Sequence, residues 1–361
     1  MNHPHFLQLV AQGLPEWLAA RDLPAFRAGQ LRRWLLAGRA ESFAGMSDLP
    51  APLRTSLEDA FQLWSTQLVR HSRAGDGTEK LLLQLCDGGR IECVLLRDGA
   101  RRTICLSSQV GCAMGCVFCA SGLDGVERNL TSGEIVEQAL RLQRLLAADE
   151  RLSHIVLMGM GEPLANLDNL LPALALASDP QGLGISPRRI TISTVGLPRA
   201  IDRLVAEHAR YHLAVSLHAP DDELRNRLVP VNRRIGLREI LPAADRYFEA
   251  SGRRLTFEYV LLAGVNDQPD HARRLLGLLR GRAALLNLIP YNPVAGLPYR
   301  TPIDRAVARF RSILTRGGLE VHVRRRKGDQ IDAACGQLRR VTPPPVGLPT
   351  AVGSGQGACE G

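Results

Sequence analysis

The chain has 361 residues, 45% hydrophobic and 22% charged, and its 45 Lys and Arg outnumber 36 Asp and Glu to leave a formal charge of +9. A chain of that length buries a core without a disulfide framework. No apolar run reaches the ~20 residues of a membrane span, and the N-terminus lacks the basic and apolar blocks of a secretory signal. The expected location is cytoplasmic. Thiols stay reduced there, so the eight cysteines point to metal ligation or catalysis before structural bridges. The cationic excess points to a polyanionic partner, nucleic acid above all. Only Lys80 and Lys327 are lysines, an arginine bias that genome base composition alone can produce. Aromatics at 4% exclude a broad stacking platform, so binding is expected to rest on phosphate contacts.

Residues 1–65 read as short helices. From Pro24 to Leu36 apolar side chains recur at helical spacing with Arg27, Arg32 and Arg33 on the other face, and 42–63 repeats the pattern after Gly38. Near Leu81 the period changes. Segments 81–85 and 91–96 flank a Gly-containing turn at 86–90 and form the arms of a β-hairpin. Strand and helix signals then alternate. Strands are expected at 102–107, 154–158, 189–194, 212–217, 256–262, 284–289 and 320–324. Helices are expected between them, at 132–148, 166–177, 197–208, 269–280 and 303–315. Repeated strand–helix units build a parallel sheet, open or closed into a barrel, with catalytic groups at its C-terminal strand ends. The stretch 341–361, rich in Pro, Gly and Ser, is expected to be a disordered tail, with Cys359 uninvolved.

The segment that carries the chemistry follows the strand expected at 102–107. Cys112, Cys116 and Cys119 form C-x3-C-x2-C within eight residues. Three thiolates on one loop can hold three irons of a 4Fe–4S cluster. With no fourth ligand nearby, the remaining iron stays open to a small molecule, as catalytic metal sites keep a vacant position. The other readings are a zinc site completed by a distant His or Cys and three incidental thiols. The run Met158, Gly159, Met160, Gly161, Glu162, Pro163 follows the next strand. Its glycines allow close backbone approach to a ligand, and its carboxylate can accept from an ammonium. Ser193, the trio Ser216, Leu217 and His218, and Asn292 stand at further strand ends, so four successive ends converge on one ligand. Cys335, beside Gly336, is expected to be an exposed, movable thiol.

The three-cysteine loop, with Phe118 before its last cysteine, resembles that of the radical S-adenosylmethionine (SAM) superfamily, in which the open iron takes the amino and carboxylate groups of SAM. Segments 27–30, 76–78, 107–112 and 158–163, and above all Asp332 to Gln337 around Cys335, resemble more narrowly the RlmN/Cfr family of RNA adenine methyltransferases, over about 24–338. The resemblance implies an α/β fold, a partial (β/α)6 radical SAM barrel over 96–340. A small helical N-terminal accessory domain with a connecting β-hairpin, 1–95, precedes it and binds RNA. It implies Cys112, Cys116 and Cys119 as ligands of one 4Fe–4S cluster. It implies Gly161, Glu162, Ser193, Ser216, Leu217, His218 and Asn292 as SAM contacts.

The resemblance also implies a mechanism. C2 and C8 of adenine are electron-poor and do not attack a sulfonium methyl, so the reaction is divided by covalent catalysis. One of two SAM molecules per turnover methylates Cys335. The second yields a 5′-deoxyadenosyl radical that takes hydrogen from that S-methyl, and the methylene radical joins protein to RNA. The ring proton leaves to Glu92 or Cys105. Attack by Cys105 on Cys335 then releases methyladenine and leaves a disulfide for an external reductant. Implied partners are 23S rRNA at the peptidyl-transferase centre, adenosine 37 of tRNA, and an electron donor such as flavodoxin or ferredoxin. A monomer away from membranes is expected. C2 is favoured as the widespread housekeeping branch. C8 is the alternative, and neither Tyr291 nor the spelling between Cys112 and Cys116 decides between them. A non-catalytic RNA-binding protein with structural zinc is the reading from another class. Arg188, Arg189, Arg233, Arg234 and the basic run 324–327 are expected to flank the site and face RNA, and Cys86 and Cys93 to be packing residues.

Overall fold

The computed structural model describes residues 3–324 and 326–339; the expected tail, Cys359 and Arg325 lie outside the described residues. Four short helices come first: α1 (Phe6–Ala11), α2 (Leu14–Ala19), α3 (Phe26–Arg32) and α4 (Ala51–Ala60). The helix expected over 42–63 is realised only in α4. Pro50 sets the start of α4, and residues 42–50 turn instead, burying Phe43, Met46 and Leu49 one at a time.

An antiparallel meander follows: β1 (Gln67–Arg73), β2 (Glu79–Gln84), β3 (Arg90–Asp98) and β4 (Arg101–Cys105). The expected hairpin is β2 with β3. Strand β1 escaped notice because it is exposed on both faces and so shows no alternation. A small pair, β5 (Gln109–Gly111) and β6 (Val126–Asn129), brackets the cysteine loop.

The chain then alternates through α5 (Ser132–Gln143), β7 (His154–Leu157), α6 (Leu167–Ser178), β8 (Ile190–Thr194), α7 (Pro198–Ala206) and β9 (His212–Ser216). It continues with α8 (Asp222–Leu228), α9 (Leu237–Ser251), β10 (Leu255–Leu261), α10 (Pro269–Leu279), β11 (Ala284–Pro290), α11 (Asp304–Arg316) and β12 (Glu320–Val323). Strands β4, β7, β8, β9, β10 and β11 pair in parallel in that order; β12 adds a seventh parallel strand and the meander extends the other edge. The strands read as continuous apolar runs because the barrel interior covers one face and the helices the other. Ile155, Ile190, Ile192, Leu213, Val215, Phe257 and Leu288 are all buried. This is the expected partial six-stranded barrel. No described helix is long and apolar enough to cross a membrane.

The N-terminal helices dock on α5 through Glu137, itself fully buried. Its carboxylate accepts from Ser65 N (2.9 Å) and Oγ (2.7 Å) and from Thr66 N (3.0 Å) and Oγ1 (2.6 Å), and His5 Nε2 lies 3.2 Å away. Burial pushes this carboxyl up, but His5 and the Thr66 and Ser65 donors pull it down harder, to about 2. A folded-state value below the ordinary 4.5 means that the carboxylate stabilises the fold above about pH 4.5, and that this is lost as pH falls toward about 2. The loss amounts to about 3 kcal/mol. Glu137→Gln is therefore expected to lower stability at neutral pH and to flatten the acid limb of a denaturation-versus-pH curve; an acid limb as steep as that of the unaltered chain contradicts this.

Candidate active site

The cysteine loop leaves the sheet at the end of β4 and is braced by the loop that follows β7. Leu106 N donates to Val156 O (3.0 Å), and Ser108 N to Met160 O (2.8 Å). The Ser107 hydroxyl donates to Glu92 O (2.7 Å) and accepts from Met160 N (2.9 Å). Two glycines make this approach possible. A Cβ on Gly159 would stand 2.6 Å from Leu106 O, and Gly161 has a φ of +103° with Ser108 Oγ 2.7 Å from where its Cβ would be.

At the C-terminal strand ends lies a cleft of about 150 Å³. Cys112, Cys116 and Cys119 form one wall; Gly161, Glu162, Ser193, Ser216 and His218 form the strand-end wall; Asn292 and Cys335 close the rim. Glu162 is buried, with Oε1 accepting from Leu164 N (3.0 Å) and Oε2 from Val195 N (2.9 Å). Burial pushes its carboxyl up to about 7, against the pull of Val195, Thr194 and Leu164. It makes no ion pair among the described residues, so an incoming ammonium suits it. His218 accepts from Val260 N at Nδ1 (3.0 Å) and sets its ring edge-on to Phe118. Burial, with Arg225 beside it, holds the imidazole neutral, down to about 3. It orients and packs and carries no proton load at neutral pH.

Leu217 does not line the cleft. It is fully buried, and its carbonyl accepts from Arg225 Nε (3.1 Å). Sequence reasoning missed Arg225, a fully buried guanidinium that also holds Val195 O (2.6 Å) and Ser216 O (2.9 Å), and so ties the ends of β8 and β9 together.

A second cavity of about 210 Å³ adjoins the cleft across Met158, Ile289, Asn292 and Cys335. Cys105 and Cys335 both line it, with Val94, Arg324 and Arg326. Burial pushes the Cys105 thiol up to about 12, while Cys335 is exposed, as expected. Glu92 lines neither cavity. Its Oε1 is 2.8 Å from Lys80 Nζ and its Oε2 accepts from Arg339 N (2.8 Å). Burial pushes this carboxyl up and Lys80 offsets part of the rise. Of the two cysteines expected in packing roles, Cys93 is buried, but Cys86 is exposed and donates to Ser65 O (2.9 Å). Arg188 and Arg189 do not flank the cleft: they precede β8 and stand at the opposite end of the barrel. Arg233 and Arg234 follow α8 on the cleft side and are exposed.

A parallel barrel with a cysteine triad and an open cleft at its C-terminal end defines a radical SAM enzyme. The radical SAM superfamily profile matches residues 106–276, and that of the ribosomal RNA large subunit methyltransferase N-terminal domain matches 5–63. A probable dual-specificity RNA methyltransferase RlmN of Rhodopirellula baltica is 66% identical over 336 residues, 93% of this chain and 91% of its own length. The protein of that name from Moorella thermoacetica is 49% identical over 92% of this chain and 96% of its own. The crystal structure of a radical SAM methyltransferase from Sphaerobacter thermophilus superposes with a TM-score of 0.90 at 43% identity, covering 94% of this chain and all of that one. The chain belongs to the RlmN family of radical SAM RNA methyltransferases.

Membership implies a 4Fe–4S cluster and SAM, and the residues present fit both. Burial raises all three triad thiols, Cys112 to about 12, and at Cys116 the charges of Cys119 and Cys112 add to the effect. Such thiols ionise together only around a positive centre. Among the described residues no three His, Cys, Asp or Glu side chains close on a position for one metal ion. A cluster, in which each thiolate takes its own iron, suits three thiols carried on one loop.

Proposed function

We propose that this chain methylates C2 of adenosine in 23S rRNA at the peptidyl-transferase centre and of adenosine 37 in tRNA. The observation that carries the reading is that Cys105 and Cys335 line one cavity, and that Cys335 also forms the rim of the cleft beside the cysteine triad. Relatives that match over nine-tenths of this chain bear the name dual-specificity RNA methyltransferase RlmN, which supports RNA of two kinds as substrate.

Cys112, Cys116 and Cys119 would hold the cluster, and Gly161, Glu162, Ser193, Ser216, His218 and Asn292 the SAM. Bound there, the two supply the hydrogen-abstracting 5′-deoxyadenosyl radical. The chain's own residues do the rest. Cys335 presents the methyl group: as a thiolate it displaces the sulfonium of one SAM, and its rim position lets the S-methyl face either cavity. Hydrogen loss from that methyl lets the carbon bond to the ring; the ring radical so formed gives up its ring proton and one electron, the latter to the cluster that Cys112, Cys116 and Cys119 would hold. Cys105 then attacks the Cys335 sulfur. The S–S bond forms, the bond from that sulfur to the new carbon breaks, and the released electron pair takes a proton to complete the methyl group. A two-electron reductant resets the disulfide. For the ring proton, Cys105 stands on the cavity wall, whereas Glu92 lines neither cavity and its two oxygens are held by Lys80 and Arg339, which favours Cys105 as the acceptor within reach. Residues 1–95 and the exposed arginines serve RNA contact. The enzyme works as a cytoplasmic monomer, with flavodoxin or ferredoxin as electron donor.

The test is expression in a host lacking this modification, followed by mass spectrometry of nucleosides from 23S rRNA and tRNA. 2-Methyladenosine in both is the expected result. 8-Methyladenosine replaces the reading by the C8 one, and no methyladenosine overturns it.

A further inference from the structure

The segment 328–339 that carries Cys335 is pinned to the meander on one side. Asp76 Oδ2 accepts from Gly328 N (3.0 Å), and Gln330 Oε1 accepts from Gly75 N (3.1 Å). Two further pins bracket the reactive sulfur. Lys80 Nζ donates to the carbonyl of Asp332 (3.0 Å), three residues before Cys335, and Glu92 accepts from the amide of Arg339, four residues after it. The same ammonium lies 2.8 Å from Glu92 Oε1, so one buried cation joins both pins.

The strand register gives this a consequence. Lys80 of β2 pairs with Val94 of β3, and Val94 pairs with Cys105 of β4. Lys80 and Cys105 therefore face the same side of the sheet, two strands apart, roughly 10 Å. The ladder fixes Cys105, and the ammonium on that ladder fixes the segment bearing Cys335. Lys80 thus sets one sulfur against the other.

The residue type carries a second signal. Lys80 and Lys327 are the only lysines among 45 Lys and Arg. Lys80 grips this segment, and Lys327, immediately before it, anchors it to the end of β3: Lys327 Nζ donates to Arg97 O (2.9 Å) and sits 2.9 Å from Asp98 Oδ1. An ammonium is a compact point that donates in three directions, whereas a guanidinium is a broad planar fork. Lys80 is 9% exposed and sits between a carboxylate on its own sheet and a carbonyl above it, so a guanidinium of other reach and shape would place its donors differently.

We infer that Lys80 is a positioning residue of the methylation reaction, one that, together with the Asn292 bond to the Cys335 carbonyl, holds the Cys335 sulfur within reach of Cys105. The inference rests on the proposed pairing of those two cysteines. Its test is the rate at which diamide closes the Cys105–Cys335 disulfide in anaerobically reconstituted, RNA-free, full-length protein. Two thiols give up two protons and two electrons to the diazene, which becomes a hydrazine, and peptide mass mapping reads the cross-link. K80M and K80R are both expected to close it at least about tenfold more slowly, because thiol attack depends on sub-ångström alignment. Both are expected to lose kcat for RNA methylation with little change in KM for RNA or in iron content. K80R, which keeps the charge, carries the test if K80M fails to fold. Closure of K80R at the wild-type rate overturns the inference. Wild-type protein that never closes the disulfide overturns instead the pairing of Cys105 with Cys335.

Discussion

Replacing Cys335 with alanine is expected to abolish RNA methylation while leaving SAM cleavage intact. The structure separates the two functions cleanly. Cys335 is exposed; its carbonyl accepts from Asn292 Nδ2 (3.0 Å), and its sulfur interacts with the Arg324 guanidinium. Alanine keeps the backbone bond and loses only the contact of the sulfur with Arg324, so the segment stays in place. The triad, Glu162 and the strand-end residues of the cleft are untouched. Removing a nucleophile that carries the transferred group costs about 10⁴-fold or more. Reconstituted C335A given dithionite and SAM should therefore yield 5′-deoxyadenosine and no methylated RNA. Methylation within tenfold of the unaltered enzyme contradicts the role given to this sulfur.

Cys105→Ala is expected to fail one step later and leave a different trace. The side chain is buried at the wall of the second cavity, with Val94 beside it in the register. Losing one sulfur there costs roughly 1 kcal/mol of packing, too little to unfold the chain. The methyl carrier and the cleft remain, so the carbon–carbon bond still forms. What is missing is the thiol that breaks the link to Cys335. C105A should accumulate an RNA-bound species that survives denaturation and is absent when Cys335 is also replaced. The high value to which burial pushes this thiol, about 12, has a consequence for the unaltered enzyme. The attacking thiolate is scarce at neutral pH, so release of the adduct is expected to speed up as pH rises. Normal turnover by C105A contradicts the resolving role.

The triad, the run from Met158 to Pro163 and the two outlying cysteines were legible in the sequence because each packs its chemistry into a few consecutive residues. The barrel was legible for a related reason: strands buried on both faces make apolar runs that alternate with amphipathic helices. What escaped was non-local or two-sided. Strand β1 has no buried face to mark it. The Lys80 contact with Asp332 spans 252 residues, and nothing local to either residue announces it; only the scarcity of lysine singled the position out. Arg225 holds three carbonyls from two neighbouring strand ends, an arrangement no spacing rule encodes. Arg188 and Arg189 show the complementary error. Adjacency to a strand was read correctly, but a residue before a parallel strand lies at the end opposite the cleft. Glu92 was found by family likeness as a proton acceptor, whereas its two oxygens in this structure belong to Lys80 and Arg339.

The most direct measurement follows the fate of one methyl group. Protein produced with trideuterated methionine carries its label on the sulfur of Cys335, and a single turnover with unlabelled SAM and RNA then exposes where those atoms go. A 2-methyladenosine bearing two deuterium atoms, with the third in 5′-deoxyadenosine, is the expected result. An unlabelled methyl group in the RNA contradicts transfer through Cys335.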